Sequence, residues 1–246
     1  MINEHFFLKL PVNFQNKCVI YPPSVNDVVS EENFNFYLKL LTISQEEIED
    51  IYNEKGLDEI PMTPIEYLMA SVYKNKKINL LAKKAFEFFI HEEVQFLYDQ
   101  KIIIIGNIKD TLKNIKNIEE LRIIDENDFF DFQNIIREAV GGKPVERPNP
   151  NEDLRVKKIK AKARYRDKIK AKRGMGLKLG PTLASICCMN FGLNPLNIGE
   201  ISYASVPVLI QYYQEKEKYE IDIDSILAGA DSKKIQPKYW IRNIED

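Results

Sequence analysis

Residues 155–173 read RVKKIKAKARYRDKIKAKR, with eleven Lys or Arg against the single acid Asp167. A stretch of this charge cannot enter an apolar core, because each buried, unpaired cation carries a heavy desolvation cost. Its Ala, Lys, Arg and Ile content suits a helix, and at ~1.5 Å per residue that helix is a rod of roughly 28 Å. Val156, Ile159 and Ala163 give it only a thin apolar stripe, so its own packing cannot hold it in place. The rod divides the chain electrostatically: residues 1–154 hold 17 basic and 27 acidic side chains, residues 174–246 hold 7 and 9. The total of −2 thus conceals an acidic front, a basic rod and a roughly neutral tail.

Three uses of the rod follow from this charge. Its cations can neutralise nucleic-acid phosphates, with Tyr165 as a stacking platform. They can meet an acidic protein surface, the chain's own front half included. Or the rod can be a solvated helix kept soluble by charge. An acidic remainder and the lack of aromatics beyond Tyr165 count against a dedicated nucleic-acid module. The candidate partner-binding residues are Arg155, Lys157, Lys158, Lys160, Lys162, Arg164, Tyr165, Arg166, Lys168, Lys170, Lys172 and Arg173.

The front half reads as a compact α+β domain over 1–140. Runs 6–10 (FFLKL) and 17–21 (KCVIY), separated around Pro11-Val12-Asn13, predict a strand pair. In 31–42, Phe34, Leu38 and Leu41 with Tyr37 form a core-facing helical stripe. Ser44 with Glu47, and Thr63 with Glu66 behind Pro64, have the spacing of helix-capping pairs. A helix over 78–93 precedes three β-like runs, 94–98, 102–105 and 121–124, with Asp99-Gln100 as a turn. The unbroken isoleucines of 102–105 predict a strand buried on both faces. Residues 126–140 read as an amphipathic helix stopped by Gly141-Gly142.

GGKPVERPNP at 141–150 has the composition of a linker, giving a boundary segment at 141–152 and the basic helix at 153–174. Asn149 before Pro150 is the expected cap of that helix. Residues 175–246 read as a helical unit: an apolar, buried helix over 179–191, a second over 201–218 that Pro207 kinks or starts, and a third over 221–230. The fold class expected is α+β, mostly helical, with a small antiparallel sheet in the N-terminal domain.

Catalytic and metal signatures fail on spacing. His91-Glu92-Glu93 is not the start of HExxH, because Gln95 stands where the second His belongs. Cys187-Cys188 lacks the CxxC spacing of a zinc site. Gly174, Gly176 and Gly180 are spaced one residue too long for a dinucleotide loop and follow a helix, so the segment reads as a hinge. Asp222, Asp224 and Asp231 lie near one another in sequence but among isoleucines that point to a helix. No catalytic, cofactor-binding or metal residue is assigned, no cofactor is expected, and the chain is expected not to be an enzyme. The start MINEHFFLKLPVNF has no signal-peptide pattern, and no run approaches the ~18 apolar residues of a membrane span. Three cysteines without framework spacing suit a reduced cytoplasm.

The words LNPLNIGEISY, DIDSILAGADSKK and KYWIRN, with KAKARYRDKIKAKRG ahead of them, resemble tail-morphogenesis proteins of phages and prophages of Gram-positive bacteria. The resemblance spans roughly 127–246 and carries over no functional residue. Among these proteins are tail assembly chaperones, which bind the tape measure protein while the tail tube polymerises around it. What it implies is a non-enzymatic tail assembly chaperone in the bacterial host cytoplasm, with the tape measure or another tail protein as partner. The rivals are a structural or connector component of the virion, and a nucleic-acid-binding protein using 155–173. Met175, Cys187, Cys188, Met189, Tyr203, Tyr212 and Tyr213 offer an adaptable apolar surface or, at helical spacing, simply core.

Overall fold

Among the described residues, four helix starts in the front half are fixed by side chains three residues apart, which is why they begin where they do. The computed structural model describes residues 4–56, 61–106, 121–149, 152–172, 178–189, 192–231 and 235–239. Helix α1 is Glu4–Phe7, followed by strands β1 (Val12–Phe14) and β2 (Cys18–Ile20). Helices α2 (Val25–Ser30), α3 (Phe34–Thr42), α4 (Gln45–Glu54), α5 (Pro64–Lys74) and α6 (Lys76–Ile90) come next. Ser44 and Glu47 close the expected capping box on α4, and Thr63 and Glu66 do so on α5. Ser24 with Asp27 caps α2 in the same way, an Asp doing the work of the longer Glu.

Strands β3 (Val94–Leu97), β4 (Ile102–Ile105) and β5 (Ile123–Ile124) form an antiparallel sheet in the order β3-β4-β5. The register pairs Val94 with Ile105 and Ile104 with Ile123. Lys101 takes the left-handed conformation at φ 54° that closes the β3-β4 turn without a glycine. Ile103, Ile104 and Ile105 are buried on both faces of the strand, as the isoleucine run predicts. Helix α7, Glu126–Ala139, follows, capped by Asp125 and Asp128. The molecule is thus α+β: mostly helical, with a two-stranded and a three-stranded antiparallel sheet.

The second strand of the first pair falls within the expected 17–21, but the first lies at 12–14 rather than 6–10. Residues 4–7 are helical, and the turn falls at Gln15 and Asn16, with φ of 50° and 58°. The Asn13 side chain accepts the Asn16 N–H at 2.9 Å and so supports the turn locally without a glycine. The main core gathers Phe14, Tyr37, Leu41, Leu68, Phe86, Phe89, Phe129 and Phe132. Phe86 and Phe132 stack at 5.3 Å between centroids, and Phe14 meets Phe132 edge-on at 5.8 Å. Each such ring contributes roughly 2–3 kcal/mol through burial.

Helix α8 is Leu154–Lys172, α9 is Leu179–Cys188 and α10 is Ser205–Leu227. The α8 cap is Asp153, whose carboxylate accepts the Arg155 N–H at 2.7 Å, rather than Asn149. Pro207 sits in the first turn of α10, where no intrahelical N–H is needed. Residues 205–227 are one helix, not two, because Asp222 and Asp224 fit a helix without breaking it. Helix α9 buries only Thr182 and Ile186, and Cys188 is exposed.

The C-terminal helices share a core with the front: Val25 joins Ile186, Ile198 and Val206 in one cluster. The backbone joins them as well, through Val25 N–H to Ile201 O at 3.0 Å and Tyr203 N–H to Pro23 O at 2.9 Å. Residues 141–149 run back along α7. Asn134 both donates to and accepts from the backbone of Val145, at 3.0 and 2.9 Å.

Candidate functional site

The rod meets the front at α4. That helix reads QEEIEDIYNE, five carboxylates and no cation. Ile48 and Tyr52, four apart, turn its apolar side inward. Glu46 and Asp50, also four apart, therefore stand together on another side of the helix. Arg164 of α8 fits this pair. Its Nε and Nη2 donate to the two oxygens of Asp50 at 3.0 Å each, and Nη1 donates to Glu46 at 2.7 Å. The fork uses the planar guanidinium as lysine could not be used. The hydrogen bonds to Asp50 raise the Arg164 pKa further above its ordinary value, against an opposing effect of burial. Lys160, one turn earlier, donates to Glu152 at 2.5 Å rather than to α4.

Beside this contact lies a cavity of about 380 Å³, lined among others by Leu38, Glu46, Glu47, Arg137, Lys143 and Arg164. Arg137 is 9 % exposed, and Gln133, one turn before it on α7, is 1 % exposed. Arg137 donates to Thr42 O and to Asn134 Oδ1, and Gln133 donates to Ile43 O at 3.0 Å. Two buried side chains of α7 thus satisfy the carbonyls left open where α3 ends. Burial lowers the Arg137 pKa, partly offset by the charge of Glu47. This joint ties the end of α3 to α7 two residues ahead of α4, the helix whose acidic pair receives Arg164.

No protein-family model, curated protein or solved structure matches this chain.

The predicted rod residues separate by face. Arg164 is the member that engages the front domain by a described ion pair. Arg155, Lys162 and Arg166 are exposed, as are Ile159 and Tyr165. The side chains of Lys157, Lys158, Lys168, Lys170 and Lys172, and the whole of Arg173, lie outside the described residues. The acidic partner on α4 was open to detection as a carboxylate pair four apart on a strongly acidic helix. Gln133 and Arg137, two polar residues on the apolar side of α7, were the missed signal for the joint.

The other candidates do not converge. His91 ends α6 in a left-handed conformation at φ 56°, and its ring stacks on Tyr21 at 4.2 Å. Cys18, Cys187 and Cys188 are all free thiols. Asp222 and Asp224 lie on α10. Gly180 falls in the first turn of α9, while Gly174 and Gly176 lie outside the described residues. Among the described residues no group of three or more His, Cys, Asp or Glu is placed to hold a metal ion. No helix among them is long and apolar enough to cross a membrane.

Proposed function

We propose that this chain is a non-enzymatic phage tail assembly protein, a chaperone that holds the tape measure protein while the tail is built. The observation that carries the reading is the seating of the basic helix. It is tied to the body on one side through Arg164 and presents Arg155, Lys162 and Arg166 to solvent on the other. Such a helix is a contact surface with a fixed orientation, and its work is binding. The resemblance of 127–246 to tail-morphogenesis proteins supplies the partner. The site of action on this reading is the bacterial host cytoplasm, where the tail assembles.

The test is co-expression with the tape measure protein from the same gene cluster, followed by purification through a tag on this chain. Capture by the intact chain, lost when Arg155, Lys162 and Arg166 are all changed to Gln, is the expected result. Failure to capture it, with the protein instead present at fixed copy number in purified particles, replaces the chaperone by a connector of the virion. Salt-sensitive retention on DNA, with neither of those outcomes, replaces it by nucleic-acid binding through the exposed cations and Tyr165.

A further inference from the structure

The face of α8 turned away from the body has a composition of its own. Arg155, Ile159, Lys162 and Arg166 follow one another at intervals of four, three and four residues, which places them in a single row along a helix. The row lies about half a turn round the helix from Arg164. All four side chains are exposed, and Ile159 is 68 % exposed. The row spans about 16 Å at ~1.5 Å per residue. Ile159 thus puts an exposed apolar side chain in the middle of three cations, a composition that a docked helix can use at once for packing and for charge.

The inner face of the same helix shows what its cations recognise. There Arg164 is satisfied by Glu46 and Asp50, two carboxylates one turn apart on a neighbouring helix. The outer row repeats that chemistry with more cations and adds an apolar anchor between Arg155 and Lys162. Phosphate backbones would use the three charges but would gain nothing from Ile159. An acidic helix uses both, setting carboxylates four apart against the cations and an apolar side chain against the isoleucine.

We propose that the outer row Arg155–Ile159–Lys162–Arg166 is a docking face for an acidic amphipathic helix of a partner protein. It bears carboxylates one turn apart about a central apolar residue, and sits on α8 as α4 does on the opposite side. This rests on the reading of α8 as the partner-binding helix and names the kind of segment it takes.

The probe is a synthetic helical peptide of about 20 residues, with Glu pairs four apart and a Leu between them, followed by fluorescence anisotropy against the full chain. A second probe is the same peptide with Leu replaced by Ser, and a third is duplex DNA. Ile159→Ser, at an exposed position where folding is not at stake, is expected to weaken the Leu peptide about tenfold, the effect of losing an interface anchor. It should leave the Ser peptide and DNA unchanged. Arg155→Gln with Lys162→Gln and Arg166→Gln should weaken both peptides.

Equal binding of the two peptides, or no effect of Ile159→Ser, overturns the proposal. So does DNA binding tighter than the Leu peptide at matched salt, which assigns the row to nucleic acid. Failure of this face is separable from failure of the chaperone reading. Tape measure capture that survives Ile159→Ser leaves the function and removes the face. Peptide binding without tape measure capture does the reverse.

Discussion

Arg164 grips Asp50 with two parallel hydrogen bonds of 3.0 Å, across 114 positions of sequence. Both groups are half-buried or better, so water screens them less than an ordinary surface pair. Arg164→Gln should lower the unfolding free energy by about 1–2 kcal/mol and speed amide exchange across 154–172 while leaving α7 protected. Arg164→Lys keeps the charge but loses the fork, so it should recover only part of the loss. Urea unfolding and hydrogen exchange measure both. An unchanged exchange profile for Arg164→Gln would show that something else seats the rod.

Gly141, at φ 79°, is where the chain leaves α7 and passes under the C-terminal helices. A Cβ there would lie 2.8 Å from Pro207 Cγ and 3.1 Å from Ala204 O. Gly141→Ala therefore meets both backbone strain and a clash, and should cost about 2–4 kcal/mol. Gly56 has a similar φ of 63° with nothing within 4 Å of the added carbon. Gly56→Ala should cost about 1 kcal/mol from the backbone alone. The difference in melting temperature between the two variants reads the docking of the C-terminal helices directly.

Asp27 couples the α2 cap to pH. Burial works against its charged form, but the Ser24 N–H and hydroxyl, donating at 2.7 and 2.6 Å, outweigh it and hold its pKa below the ordinary 3.8. A folded value below the unfolded one stabilises the protein above about pH 4, and that stabilisation fades as pH falls through the folded value. Ser24→Ala should cost about 1 kcal/mol at pH 7, and its deficit relative to wild type should shrink as pH falls below the ordinary carboxylate range. Urea titrations across that range check it; a deficit constant with pH would rule out the linkage.

The cysteines should react in order of exposure. Burial first, and the nearby negative charge of Glu92 second, push the Cys18 thiol up to about 12, so it holds no appreciable thiolate near neutrality. Cys188 is exposed and Cys187 half-buried. Iodoacetamide near pH 8 should alkylate Cys188 first and Cys187 more slowly, leaving Cys18 unmodified until denaturant is added. Peptide mass spectrometry resolves the three sites, and early labelling of Cys18 would mean that the β1–β2 hairpin opens in the native state.

Elements whose causes lie within a few residues can be read from the chain directly. Ser44 with Glu47 and Thr63 with Glu66 announce their helices because the bonds that start them span three positions. Ile103 to Ile105 announce a strand buried on both faces because no polar residue interrupts them. The rod was legible as a helix too charged to be buried, with its counterpart left open, since charge and helix propensity are both local properties. The first strand of the first hairpin was placed too early because Gln15 and Asn16 adopt a left-handed turn that no glycine advertises, while the second strand fell where expected. Tertiary structure alone decided which carboxylates the rod meets, that Gln133 and Arg137 finish α3, and that Gly141 lies beneath Ala204 and Pro207. Each of these joins groups far apart in the chain, and their partners are chosen by how three or more helices pack. Such choices depend on shape and distance after folding, which no spacing along the sequence encodes.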